Sequence, residues 1–546
     1  MCGILAIIDK SNSLNEEQFL NYLKIQEHRG YDNIKSKKIT SGKYTVYLGI
    51  NHLAITELES KQLHNNNLIF NGEIYNYKEI SNNYNLDNYN ESEVISFLLD
   101  NNFDLSQMSG MFALIFYKNG YLDIARDFYG KKPLFYFVSD ETIIFASEIN
   151  TIKKIIHKQS INFKHLLQFI ETSYYNKSLN ETIYKDIKEI PKNKVLRFDI
   201  NKFNFISKKK IYHKPKIGKL DQVKNDLFSS ISKRVANIDE NLKPGLAFSG
   251  GVDSSLIFQF IDNYYDYSKF KFFTIDFGIK NSDFEYVLNI HRKRNLDLVI
   301  VDSKVLYQNF FDYVDRIILA HGKPIQFSGN NLGMFLIYEK ANDCNTKVMI
   351  DGTGGDEIFF GYINSFFYKE YLDGNLRSKN YLSILFFLLT QSSNLSNFTM
   401  YIKYIFHNAG KNHKSLIFTQ LKVINKILRN WLDQNDLNAM HFNIENRSPF
   451  CDQSLFQYVF MEDKFKLSYS NKPILRSVSK NMKNSIPSIY NKKGLRLNVR
   501  FGHDNYPEHV KNTILKSEIC KKFKLNNFNN LSLYSLARFE KLILDV

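Results

Sequence analysis

AFSGGVDSS, residues 247–255, joins the apolar run GLAF to a stretch beginning LIFQFI, and the folding of that junction decides the second half of the chain. A strand that ends in Ser-Gly-Gly and re-enters a helix puts backbone N–H groups where they can approach an anion closely. Ser249, Ser254 and Ser255 add hydroxyl donors, and the helix N-terminus adds a partial positive charge. A Gly-rich turn capped by Ser or Asp is the plain structural alternative. No G-K-[ST] follows, so the loop is not of the Walker type. Two further strand-like runs, KFKFFTIDF and KVMIDG, follow at spacings that leave room for crossover helices. That rhythm predicts a parallel α/β sheet whose ligands lie at the carboxyl ends of its strands.

DGTGGDE, residues 351–357, comes after the third of these strands and again combines permissive glycines with acids. Asp253 and Asp356 are expected to meet across the strand ends and hold Mg²⁺ on phosphate oxygens, as hard carboxylate donors do. Further on, Lys472 and Arg476 of KPILR stand four apart and share one helical face. From Tyr362 onward the pattern is mainly helical.

The first 200 residues read differently. Short β-type runs such as ILAIID, YTVYLGI, LIFNGEI and MFALIFY alternate with turn residues, and helical patterns interrupt them near residues 15–27 and 91–99. The stretch SKKKIYHKPKIGK, rich in Lys and carrying Pro, marks a boundary. We therefore divide the chain into residues 2–205, a linker at 206–220, and residues 221–546. Cys2 opens the first part in MCGILAI. With Met1 removed, its thiol stands beside an α-amine, so one residue carries nucleophile and base together. NGEIYN, residues 71–76, offers the Asn71 amide and the Gly72 N–H as an oxyanion hole, although Asn-Gly is equally a hairpin signal.

Composition narrows the classes. Hydrophobic residues are 44 % and charged residues 23 % of the chain, the balance of a globular protein. The net charge of +16 is spread along the chain and not focused, which argues against a nucleic-acid partner. Four cysteines without C-x-x-C pairs fit a reducing cytoplasm and neither a disulfide framework nor a zinc site. The longest apolar run, ILFFLLT, is well short of the roughly 18 residues that span a bilayer, so no membrane partner is expected.

Taken in order, MCGI, HRGYD, NGEIYN, SGMFALIFY, RDFYGKKPLFY, FASEI, FSGGVDSS, DGTGGDEIFFGY, ENRSPFCD and KPILR resemble the glutamine-dependent asparagine synthetases of the bacterial B type. The resemblance implies an N-terminal-nucleophile αββα sandwich followed by a parallel α/β ATP pyrophosphatase domain, of the adenine nucleotide alpha hydrolase kind, with added helices. It implies a glutaminase that frees ammonia at Cys2, a synthetase that adenylates a carboxylate with ATP and Mg²⁺, and a tunnel between them. By position, Asn71 and Gly72 form the oxyanion hole, and His52, Leu53, Ala54, Ile55, Thr56, Glu73 and Glu91 surround bound glutamine. Ala247, Ser249, Gly250, Gly251, Asp253, Ser254, Ile275, Asp351 and Gly352 line the ATP pocket. Lys472 is catalytic through phosphate or the intermediate, and a homodimer is an admitted assembly.

Four positions depart from the family pattern. His52 stands where the family has an arginine that grips the glutamine carboxylate, and a neutral imidazole is a poor substitute for a guanidinium. Glu91 replaces an Asp, and Tyr31 a proline. Thr353 replaces a Glu linked to the aspartyl-AMP intermediate, which admits acceptors other than aspartate: a uronic acid, a peptide side chain or another metabolite carboxylate. Two further readings remain, a tRNA-modifying ATP pyrophosphatase and an ammonia-dependent synthetase with a vestigial glutaminase half.

Overall fold

The computed structural model describes residues 2–544 apart from 57–61, 64–65, 87–88, 158–159, 173, 176–179, 213–216, 237, 279–280, 326–330, 362–419, 422, 462–471, 481, 483–507 and 524–530. The run ILFFLLT and the first part of the helical region expected from Tyr362 lie outside the described residues. Sixteen strands are described: β1 (Cys2–Asp9), β2 (Asn33–Ser41), β3 (Tyr44–His52), β4 (Leu68–Ile74), β5 (Gly110–Lys118), β6 (Tyr121–Arg126), β7 (Phe135–Val138) and β8 (Thr142–Ala146). They continue with β9 (Ile187–Glu189), β10 (Lys194–Asp199), β11 (Asn204–Lys210), β12 (Gly245–Ala247), β13 (Lys271–Asp276), β14 (Leu298–Asp302), β15 (Val348–Ile350) and β16 (Glu445–Arg447).

The first eleven strands form two antiparallel sheets, ordered β2-β3-β1-β8-β7-β9 and β11-β10-β6-β5-β4. Alternate residues of β1 explain the layering, because Ile4, Ala6 and Ile8 pack toward Ile69, Ile115 and Ile124 of the second sheet. Leu5 and Ile7 point the other way, onto Phe19, Leu23 and Ile152 of flanking helices. The second sheet has its own outer layer, in which Phe70, Phe112 and Leu114 meet Val94, Ile95 and Leu98. Strands buried on both faces are largely apolar, which is why CGILAIID and LIFNGEI carry so little alternation, with Asp9, Asn71 and Glu73 as their buried polar exceptions. The result is the expected αββα sandwich.

The linker expected at 206–220 begins inside this sandwich. Residues 206–210 belong to β11 and pair with β10, so the change to connecting chain comes after Lys210. The lysines suggested a solvated tether because this is an edge strand, where charge faces water without disturbing the ladder.

The remaining strands form one parallel sheet, ordered β14-β13-β12-β15-β16. Strand order reverses between β12 and β15, and such a switch point opens a crevice beyond the strand ends. AFSGG leaves β12 and DGTGG leaves β15, so both loops enter that crevice. Among the described residues no helix is long and apolar enough to cross a membrane.

Candidate active site

Two sites are built at the ends of these sheets. In the first, β1 and β3 bring Cys2 opposite His52, and β4 carries Asn71 and Gly72 within a strand paired to β5. Asn-Gly is therefore no hairpin turn here. The backbone N–H of Cys2 donates to Asn71 Oδ1 at 3.1 Å. The Asn71 Nδ2 is buried and has no hydrogen-bond partner among the described residues. A buried amide that forgoes its bonds is costly unless a ligand completes it. Gly72 has φ +145°, and a Cβ there would overlap the Met111 carbonyl oxygen, so only glycine fits.

Burial pushes the Cys2 thiol up, while the charge of the chain's amino terminus and the Leu53 N–H pull it down. His52 is held near a pKa of about 3, by burial first and then by the positive terminus and Lys35 and Lys347, so it is a neutral imidazole. Its Nδ1 has no hydrogen-bond partner among the described residues. Glu91 accepts the backbone N–H of Ile74, which ties it to β4 beside the thiol it influences. The Ala54 N–H donates to Asp32 at 2.7 Å. Ile55 turns away with Leu53 to pack on Val348 and Met440 of the other half, and Thr56 is half-buried.

The second site lies at the switch point. Gly250 has φ +79° and passes so close to the Asp283 carbonyl that a Cβ could not be housed. The hydroxyls of Ser249 and Ser254 lie 3.1 Å apart, and Gly251 precedes the helix Val252–Tyr264 with no side-chain cap. First-turn N–H groups without a cap are the donors a phosphate needs. Ala247 ends β12 and Ile275 lies in β13. Asp253 in this helix and Asp356 after β15 both contact Lys472, Asp356 at 2.6 Å. Burial, which alone would lower the Lys472 pKa, is overcome by these two acids, and the amine is held strongly protonated. Arg476 follows in the helix Pro473–Lys480 and is lowered by burial despite Asp253 and Asp283.

Asp351 and Gly352 open the loop after β15. The Asp351 carboxylate is almost wholly buried and takes donors from Thr353 N (3.1 Å), Thr353 Oγ1 (2.9 Å), Asn435 Nδ2 (3.0 Å), Asn446 Nδ2 (2.9 Å) and Ser448 Oγ (2.7 Å). A carboxylate so surrounded is fixed in place and serves as a framework anion.

Sequence reasoning missed the element that joins the two sites. On β16 and the residue after it, alternate side chains face opposite ways. Asn446 and Ser448 reach Asp351, while Arg447 pairs with Glu445 and lies 3.6 Å from Glu73 beside the first site. Arg29 of HRGYD crosses the same boundary to Asp436 at 2.7 Å, and Lys132 meets that acid at 3.0 Å. ENRSPFCD and HRGYD marked these stretches, but no spacing rule pairs positions so far apart in the chain.

A family model described as glutamine amidotransferase domain matches residues 1–212, and one described as asparagine synthase matches residues 229–514. Asparagine synthetase (glutamine-hydrolysing) 2 of Bacillus subtilis is 26 % identical over 516 residues, covering 84 % of this chain and 66 % of that one. A Methanocaldococcus jannaschii relative that carries the same name provisionally is 27 % identical over 410 residues, covering 66 % of this chain and 76 % of that one. The Gallus gallus asparagine synthetase (glutamine-hydrolysing) is 26 % identical over 401 residues, covering 68 % of each. The chain belongs to the glutamine-hydrolysing asparagine synthetase family, whose members are ATP-dependent ligases.

Proposed function

We propose that the chain transfers the amide nitrogen of glutamine to the side-chain carboxylate of aspartate, giving asparagine, glutamate, AMP and pyrophosphate. The observation that carries the reading is the unpartnered Asn71 Nδ2 beside Cys2, in a chain whose other half presents an uncapped helix start at a switch point. With Met1 removed, the nitrogen that donates to Asn71 is an α-amine able to take the thiol proton. The Cys2 sulfur attacks the glutamine amide, and Asn71 Nδ2 with the Gly72 N–H stabilises the oxyanion. Collapse expels ammonia and leaves a thioester, which water hydrolyses to glutamate and free thiol.

In the other half the carboxylate oxygen attacks the α-phosphorus of ATP and pyrophosphate leaves. Carboxylate is a poor electrophile, and the adenylate gives it a leaving group; ammonia then displaces AMP. Ammonia reaches this step by the interdomain passage the family implies. Asp253 and Asp356 fit a Mg²⁺ ion in their chemistry, since both are carboxylates converging on one cation, and a Cβ on Gly355 would fill the space at Asp253. Among the described residues no third His, Cys or acid joins them, so phosphate and water would complete the shell. Such an ion would neutralise phosphate charge and help pyrophosphate leave. All four cysteines are free, which supports a reducing compartment such as the cytoplasm.

Glutamine-dependent AMP release, measured with and without aspartate, tests the assignment. Stimulation by aspartate is expected, and none would end the asparagine reading. A different acceptor carboxylate is the second reading, favoured because the Thr353 hydroxyl is engaged with Asp351 and Asn435 where the family resemblance expects an acid.

A further inference from the structure

Lys131 belongs to the first half of the chain but ends inside the second. It lies in the loop after β6, and that loop has one shape. The Asp127 carboxylate takes the backbone N–H groups of Phe112, Tyr129, Lys131 and Lys132, and Arg126 donates to the carbonyls of Gly130 and Lys132. The direction in which Lys131 leaves the loop is therefore set. The residue is 4 % exposed, and Nζ donates to Ser448 Oγ at 2.8 Å.

A buried ammonium is unfavourable unless an anion faces it. Here the anion is Asp351, reached through one hydroxyl. A serine has a single proton, and with Lys131 donating to its lone pair Ser448 faces two acceptors, Asp351 Oδ1 at 2.7 Å and Asn446 Oδ1 at 3.2 Å, of which the carboxylate is the nearer and the charged one. Asp351 Oδ2 then accepts the Thr353 hydroxyl, whose oxygen in turn takes the Asn435 amide at 2.9 Å. Thr353 is thus linked to a lysine of the other half through one of the five hydrogen bonds that Asp351 accepts.

We propose that Lys131 is a positioning residue of the carboxylate-activating site, holding Thr353 through Ser448 and Asp351, so that the synthetase half is complete only with the glutaminase half docked on it. The inference rests on reading Thr353 as part of the acceptor pocket. Its consequence is specific: carboxylate activation, which consumes neither glutamine nor ammonia, depends on a residue of the glutaminase half. The charge state agrees with that role. Burial lowers the Lys131 pKa to about 8, Asp351 and Cys451 opposing the fall and Lys132 and Arg234 adding to it.

Carboxylate-dependent exchange of labelled pyrophosphate into ATP tests the inference on the full chain, with no nitrogen donor present. Lys131→Met is expected to lower the exchange kcat by at least about tenfold while the KM for ATP moves less than about threefold. Lys131→Arg is expected to restore most of the rate, and to carry the alkaline loss of exchange, centred near pH 8 in the parent, to higher pH. Parent kcat and an unmoved pH profile in Lys131→Met would overturn the inference. If melting curves show Lys131→Met unfolded, Lys131→Arg decides alone: a shifted alkaline limb supports the role and an unshifted one removes it. The parent is assayed first. Exchange with no carboxylate tried would remove the proposed function and this inference with it, whereas an active parent with indifferent variants removes the inference only.

Discussion

Cys2 and His52 face each other across the paired strands β1 and β3, a thiol beside an imidazole that burial keeps neutral. His52→Arg would place a fixed charge there, and a charge-assisted hydrogen bond to the glutamine carboxylate contributes roughly 1.5–3 kcal/mol. The KM for glutamine is expected to fall about tenfold with kcat little changed. An unchanged or higher KM in glutaminase assays, with the melting temperature retained, would show that the carboxylate is not bound at this position.

Asn71→Ala removes the buried Nδ2 donor and the acceptor for the Cys2 N–H together. Losing one oxyanion donor costs about 10²–10³ in kcat. Glutamine hydrolysis is expected to fall by that factor, and synthesis from added ammonium to fall far less. Equal losses with both nitrogen donors would point to a folding role for Asn71.

Asp436 holds Arg29 and Lys132 at 2.7 and 3.0 Å, and all three side chains are buried. Asp436→Asn leaves two cations with one charge fewer to balance them, a change that costs about 3–5 kcal/mol for a buried pair. Urea denaturation should show a loss of that order. A loss below about 1 kcal/mol would mean that Glu148, 3.1 Å from Arg29, balances the cluster on its own.

Three buried acids set the acid limit of stability. Burial alone would raise each one, but His28 and Arg29 hold Glu148 at about 2, Arg447 and the chain terminus hold Glu445 at about 2, and Arg234 and Lys233 hold Asp452 at about 2. Unfolded carboxylates titrate near 4, so these groups stabilise fully above about pH 5, and that stability is lost as pH falls toward 2. Each contributes a slope of up to about 1.4 kcal/mol per pH unit in that window. Free energies of unfolding at pH 3, 4 and 5 should therefore decline steeply in the parent and less so in Asp452→Asn. Identical slopes would remove Asp452 from this account.

Much of the first half was legible in short stretches. CGILAIID and LIFNGEI carry apolar residues on both faces because each strand is covered on both sides, with Asn71 and Glu73 the polar exceptions at the first site. Gly72 and Gly250 were readable for the same reason, since a positive φ and a missing Cβ are properties of one position. AFSGGVDSS foretold a strand, a glycine turn and a helix start because phosphate cradles are made from consecutive backbone groups, and its spacing to KFKFFTIDF and KVMIDG foretold the parallel sheet. That the helix start carries no side-chain cap came from the structure.

The sequence by itself therefore determined the β-rich first half, the parallel sheet of the second half and the glycine-lined loops, all of which depend on short stretches and their spacing. Tertiary structure alone decided that Arg447 turns toward Glu73 while Ser448 turns toward Asp351, that Arg29 finds Asp436, and that Lys131 enters the other half. Those pairings arise where burial removes water and a charge must be met by whatever the packed chain brings near, and no local pattern records that choice.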